Sequence, residues 1–341
     1  MSEQTLDWAE IVKKYPEANF LQSPEYGSMN ELLGCKVFQE DFDKKARALM
    51  IVRNAKRGRY LEIPCGPLVD WSDSKLVAKV FAKITEIAKK EKCVFVRIRP
   101  QLKATTENFK ILEKLGLKKS PMHLAAEHTV IIDLSKSEEE LLAEMRRQTR
   151  YEVRRADKLG LVVTKSNDEK MFEEFHKIQA ETAKRQNFVP PNLKTLMAEK
   201  EAFGENIVIY KASTPDEWGI GAPFDFPTKN PIAYGLIIKN GLEADYYEAA
   251  STVLNRKLPG AYALLWQAMK DLRSEGYARF NLWGIAPPNQ PNHRYAGVTT
   301  FKTGFGGEVV EFVPAHDLVI SKVRYAADFA FETMRKKRRH L

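Results

Sequence analysis

Few residues in this 341-residue chain combine the types and spacings that catalysis usually needs, and each candidate narrows the chemistry. His123 and His128 bracket Glu127 in HLAAEH, but they stand five positions apart, whereas two metal ligands on one helix face need four. Cys35, Cys65 and Cys93 are separated by 30 and 28 residues, which offers neither a metal knuckle nor an even disulfide framework and fits a reducing compartment. There is no G-x-S-x-G elbow and no cysteine in a nucleophile's setting. The run from Gly304 to Gly307 follows a short helical pattern and leads into the strand pattern EVVEFV. That is the reverse of the strand, glycine loop, helix order that aims amides at a phosphate. No metal and no cofactor is expected. With no evident nucleophile, acid or metal, the chemistry left is the positioning of two substrates and the stabilisation of charge.

A second constellation is basic. In SKSEEELLAEMRRQTRYEVRRADKLG, Ser135 or Ser137 followed by glutamates suits a helix start. Leu142, Met145, Thr149, Val153 and Ala156 form one stripe at helical spacing. Arg146, Arg147, Arg150, Arg154, Arg155 and Lys158 occupy the remaining positions, against only Glu152 and Asp157. One face docks and the other suits bidentate contacts to phosphate. The whole chain carries 54 Lys and Arg against 45 Asp and Glu, a net charge of +9, so a polyanion is the natural partner. It ends MRKKRRHL, a basic tail able to meet nucleic acid or anionic lipid.

The elements that would hold these residues follow from hydrophobic period. ALMIVRN (48–54) and RYLEI (59–63) around AKRGR predict a hairpin. Ser72 or Asp73 then caps an amphipathic helix, KLVAKVFAKITEIAKK, followed by strand CVFVRI (93–98), a helix ending at Gly116 and strand HTVIIDL (128–134). The second half repeats the order: strands IVIYKAS, IAYGLIIKN (232–240) and ADYYEAAS, helix AYALLWQAMKDLRSEG, strand ARFNLWGI (278–285) and a short helix closing on Gly304. Tyr60 precedes Leu76 at one helix start by 16 residues, and Asp245 precedes Ala261 by 16. An internal duplication of one α/β unit is the expectation. Residues 211–231, with four prolines and three aromatic residues, read as a lid, a binding loop or a surface excursion.

Apolar residues at 44% supply a core, while a mean hydropathy of −0.41 and apolar runs of only a few residues exclude a membrane-spanning helix. The N-terminus lacks a signal-type apolar core, so a cytoplasmic protein is expected.

NLWGI, a polar Pro-rich loop and AGVTTFKTGFGGEVVEF, together with the connector MRRQTRYEVRRADKLGL, resemble the FemABX family of peptidoglycan bridge-forming aminoacyltransferases. The likeness runs from LQSPEYGS to the last strand and helix, and FKTGFGG is its most specific piece. It implies an α/β fold of two tandem GNAT-like (Gcn5-related, acyl-CoA N-acyltransferase-like) domains, mixed sheets flanked by helices. The domains are expected at residues 1–135 plus 310–341 and at 136–309. It implies transfer of an amino acid from aminoacyl-tRNA to the stem-peptide amine of a peptidoglycan precursor, either UDP-MurNAc-pentapeptide or lipid II.

The family's donor-end Phe-Lys pair falls on Phe301 and Lys302, a ring to stack on the terminal adenine and a cation for developing negative charge or phosphate. Acceptor contacts, implied near the N-terminus, at the domain cleft and on the central strands, fall on Tyr26, Ser28, Arg99, Arg185, Tyr247 and Glu248. Ser28 stands where a characterised relative has lysine, Arg99 where it has an acidic residue, and Glu248 where relatives can show an aromatic one. The arginines at 146, 147, 150, 154 and 155 are the expected tRNA contacts, and residues 176–204 are too short for the coiled-coil arm of some members. A monomer is expected, with peripheral contact to an anionic membrane open to the basic tail. An acyl-CoA-dependent N-acyltransferase stays open, although Arg294 to Thr299 fits R/Q-x-x-G-x-G/A wrongly at its last position, as does a non-enzymatic RNA-binding protein.

Overall fold

The computed structural model describes residues 7–218, 227–288, 290 and 292–339. The chain divides into two units: residues up to Glu127 with those from Val310 onward, and His128–Val309. The sequence boundary at 135 falls beyond this division, because the strand at His128–Asp133 pairs with a strand of the second unit.

In the first unit, α1 (Trp8–Lys14) and α2 (Pro24–Leu32) precede β1 (Lys36–Phe42), β2 (Ala46–Ala55) and β3 (Gly58–Pro64). Then come α3 (Ser74–Lys90), β4 (Cys93–Arg99), α4 (Thr106–Lys114) and β5 (Lys118–Lys119). In the second, β6 (His128–Asp133), α5 (Glu138–Glu144), α6 (Arg147–Lys158), β7 (Val162–Ser166), α7 (Glu169–Gln186), α8 (Leu193–Phe203), β8 (Ile207–Ser213), β9 (Pro231–Asn240) and β10 (Glu243–Ser251) lead to α9 (Gly260–Ser274), β11 (Arg279–Gly284) and α10 (Ala296–Thr303). The chain returns to the first unit through β12 (Glu308–Glu311), β13 (His316–Val319) and α11 (Lys322–Arg339). The sheets run β1-β2-β3-β4-β13-β5 and β12-β6-β11-β10-β9-β8-β7.

The repeat expected from the sequence is present in the hydrogen-bond ladders. β2 and β3 are antiparallel, and β3 runs parallel to β4 across α3. β9 and β10 are antiparallel, and β10 runs parallel to β11 across α9. An antiparallel strand then closes each set, β13 on β4 and β6 on β11. Period sets both crossover helices, and α3 also has a side-chain cap. Asp73 accepts from the Lys75 and Leu76 amides, and α3 buries Leu76, Val77, Val80, Phe81, Ile84 and Ile87 into the first core. α9 buries Leu264, Leu265, Ala268, Met269 and Leu272 into the second.

The connector departs from the continuous helix its stripe predicts. Ser137 and Glu140 complete a capping box at the start of α5, but Met145 and Arg146 are extended, with ψ of 143° and 145°. Arg150 explains the break, since its Nη1 donates to the carbonyls of Leu142 (3.3 Å), Ala143 (2.8 Å) and Met145 (2.6 Å), closing the end of α5. The Arg146 amide donates to Gly304 O instead of extending the helix. Part of the 211–231 segment, read as a lid, a binding loop or a surface excursion, lies outside the described residues, which omit 219–226. Among the described residues no helix is long and apolar enough to cross a membrane, and no cluster of metal-ligating side chains occurs.

Candidate functional site

Two irregular strands shape a cavity in the second unit. β10 and β11 pair in parallel only from Glu243 to Asp245 against Arg279 to Asn281. Beyond that point β10 carries an extra residue between Tyr246 and Glu248 against β9. β11 carries one between Asn281 and Gly284 against β6, with Trp283 at φ 62°. A left-handed tryptophan is costly, and here its amide is held by Asn281 Oδ1 at 2.9 Å. Bulges re-aim side chains. The one in β10 breaks inside-outside alternation, so Tyr246, Tyr247 and Glu248 all reach the cavity wall.

The cavity, ≈ 470 Å³, is lined also by Thr182 of α7, Tyr262 of α9 and Phe301 and Lys302 of α10. Lys302 is only 8% exposed; its Nζ donates to Gly284 O at 2.9 Å and stands 5.9 Å from the Tyr246 ring. Burial lowers its pKa to about 7, since the ammonium loses hydration that one carbonyl does not replace. Phe301 meets Tyr262 edge to face at 5.0 Å and Phe305 at 5.3 Å, which fixes the ring beside the amine. Glu248 accepts from Gln179 Nε2 at 2.6 Å, and burial raises its carboxyl to about 7. Glu199 of α8 is buried close by, and both its burial and the charge of Glu248 hold its pKa well above the usual carboxylate range. The wall thus presents an amine and a carboxyl, both able to change protonation near neutral pH, among aromatic rings.

The model of the FemAB family matches residues 4–215 and 225–333. The chain belongs to the FemAB family. Aminoacyltransferase FemA of Staphylococcus epidermidis is similar to it at 22% identity, over 91% of this chain and 91% of that protein. A crystal structure of FemX superposes with a TM-score of 0.83 at 17% identity, covering 96% of this chain and 99% of that one. A tandem GNAT protein from the clavulanic acid biosynthesis pathway gives a TM-score of 0.52 at 9% identity over 81% and 79%. The fold is therefore two GNAT-like domains.

The glycines of the FemAB chain's FKTGFGG block serve packing. A Cβ at Gly304 would stand 2.4 Å from Thr149 Oγ1 and 3.0 Å from the Arg146 guanidinium, and one at Gly307 2.5 Å from Ile131 O. Arg146 also donates to Thr300 O at 2.8 Å, so the break between α5 and α6 seats the end of α10 that carries Phe301 and Lys302. Gly304→Ala is expected to destabilise the protein by about 1–3 kcal/mol, because the methyl must displace Thr149 or lift α10. Chemical denaturation measures the loss, and an unchanged midpoint contradicts the packing.

The expected site residues do not form one group. Phe301, Lys302, Tyr247 and Glu248 line the cavity. Arg185 is turned to Ser251 O and to Thr182 Oγ1 (3.1 Å). Tyr26 and Ser28 sit on α2 of the first unit. Arg99 is 1% exposed at the end of β4, bonded to Gln101 and to Cys65 Sγ at 2.7 Å, with its guanidinium 5.0 Å from the Phe312 ring. Of the five arginines, Arg150 and Arg146 hold carbonyls as described, and Arg155 bonds Glu152 and Lys257 O. Arg147 and Arg154 are exposed and, among the described residues, make no side-chain hydrogen bond or ion pair. Tyr246 and Tyr262 line the cavity and Gln179 and Glu199 lie against Glu248, and the sequence singled out none of the four. Only the acidic and amide side chains at i and i+20 along α7 and α8 hint at them, and that spacing carries no period.

Proposed function

We propose that this FemAB-family aminoacyltransferase moves an amino acid from the 3′ end of a charged tRNA to the stem-peptide amine of a peptidoglycan precursor. The observation that carries the proposal is the buried Lys302 amine, held at Gly284 O beside the Phe301 ring on an aromatic cavity wall. As the acceptor nitrogen adds to the ester carbonyl, neutral Lys302 takes a proton from it. The resulting ammonium faces the oxyanion, then returns the proton to the departing 3′ oxygen as the ester C–O bond breaks. Products are an amide, a free 3′ hydroxyl and the original amine, so no cofactor is consumed. A desolvated lysine with a pKa of about 7 suits both halves of this exchange.

A basic amine on an aromatic cavity wall fits direct transfer between two substrates held together. Charge supports a tRNA donor: Arg147 and Arg154 project from α6 into solvent, in a chain of net charge +9. Reversing both to glutamate is expected to weaken charged-tRNA binding and to flatten the slope of log Kd against log salt by about one to two units. Filter binding between 50 and 200 mM salt reads the slope, and an unchanged slope removes this face from the interface. The reaction belongs in the cytoplasm, where charged tRNA is made, with the basic α11 turned to an anionic membrane when the acceptor is lipid-linked. The direct test of the donor offers the purified protein labelled acetyl-CoA and a pool of charged tRNAs. Deacylation of tRNA that depends on the precursor supports the proposal, and consumption of acetyl-CoA alone replaces it with an acyl-CoA enzyme.

A further inference from the structure

Glu248 and Glu199 pose a problem that the transfer chemistry leaves unanswered. Two carboxyls from different elements, half-buried Glu248 of β10 and buried Glu199 of α8, lie close enough for the charge of one to act on the other, and among the described residues neither pairs with a cation. Glu199 is 3% exposed, and its Oε2 has no hydrogen-bond partner. Gln179, also 3% exposed, spends its amide nitrogen on Glu248 Oε2 and leaves its own Oε1 without a donor. The nearby cations are committed elsewhere: Arg185 of α7 to Ser251 O and Thr182, and Lys302 of α10 to Gly284 O. A buried acidic pair with no cation costs stability, and a purely structural role is better filled by apolar residues. Glu248, with Glu199 behind it, opens onto a cavity whose rings at Tyr246, Tyr247, Tyr262 and Phe301 also favour a cation.

We propose that Glu248, backed by Glu199 and oriented by Gln179, is an ammonium-binding subsite that takes the charged primary amine of a substrate. Resting on the transfer proposal for the amine's owner, the candidates are the free α-ammonium of the aminoacyl donor and the side-chain or terminal ammonium of the acceptor before it is deprotonated. When the subsite is empty, burial favours a proton on each carboxyl, and for Glu199 the charge of Glu248 adds to it. An arriving ammonium replaces that proton as the balancing charge. An amine already acylated offers no charge and meets a buried carboxyl it cannot satisfy, so the subsite selects substrates with a free amine.

The test is equilibrium binding by calorimetry with two probes. One is the stable amide analogue 3′-deoxy-3′-(alanylamino)adenosine, and the other a lysine-containing pentapeptide, each with its amine free and acetylated. The full-length protein is expected to bind the free amine of one probe about 10- to 100-fold more tightly than the acetylated form. Which probe shows the preference identifies the owner. In Glu248→Gln, which keeps an acceptor for Gln179, the ratio should fall to about one, and Glu199→Gln should lower it part of the way. Melting curves confirm that each variant is folded. Equal binding of free and acetylated forms by the native protein, or a ratio that survives Glu248→Gln, overturns the subsite. Aminoacyl transfer without amine preference removes the subsite and keeps the reaction. An amine preference abolished by Glu248→Gln in a protein that transfers nothing keeps the subsite and removes the reaction.

Discussion

Lys302→Ala is expected to lower kcat by about 10²- to 10⁴-fold while the acceptor KM stays within about twofold, because in the proposed transfer the lost group acts on the transferring proton and not on ground-state binding. Lys302→Arg does not restore the rate. A guanidinium stays protonated and cannot accept from the attacking nitrogen. With Lys302 as the base, the native enzyme's kcat is expected to rise with pH through about 7, where the buried amine loses its proton. A rate that instead falls as pH passes 7 would make the ammonium the active form and end the base role.

The same shift has a stability consequence. The folded-state pKa is depressed from 10.5 to about 7, so between those values the unfolded chain binds the proton that the folded chain does not. Stability therefore rises with pH across that window, by at most about 1.4 kcal/mol per unit, and the full penalty for burying the amine is present below pH 7. Lys302→Met should remove that slope, and urea titrations at pH 7 and 9.5 compare the two proteins.

The second large effect is in the first unit. Arg97, 4% exposed, donates to both oxygens of Asp317 at 2.8 and 2.9 Å and to Glu332 of α11 at 2.7 Å, while the Tyr325 hydroxyl donates to Asp317 at 3.1 Å. Arg97→Met strands a carboxyl of zero exposure, and a loss of about 3–5 kcal/mol is expected. Arg97→Met with Asp317→Leu should recover most of it, since an apolar pair leaves no buried charge. Denaturant midpoints of the two variants decide this. If the single variant is as stable as the native protein, the Arg97 cluster does not hold β13 and α11 to β4.

What the sequence discloses divides along the range of the interactions. The β2–β3 hairpin, α3 and β4, and their counterparts β9–β10, α9 and β11, follow from period, and α3 also from its Asp73 cap, both of which are local. Phe301 and Lys302 emerge from the resemblance, but nothing in FKTGFGG shows that the lysine is buried, because its burial depends on Tyr246 and Gly284 from other strands. The bulges at Tyr247 and Trp283 are equally invisible, since a register shift exists only relative to a partner strand. The arginine-rich connector shows the limit of counting charge. Arg150 looks like its neighbours in the sequence, yet it closes the end of α5, and only exposure separates it from Arg147 and Arg154.

In the proposed reaction Lys302, in its aromatic cavity, passes an aminoacyl group from tRNA to a cell-wall amine. Mass spectrometry of each purified precursor after incubation with charged tRNAs addresses it most directly. A precursor heavier by one amino-acid residue, formed by the native protein and not by Lys302→Ala, is the predicted result. An unmodified precursor, or the same adduct at the same rate from the variant, contradicts the account.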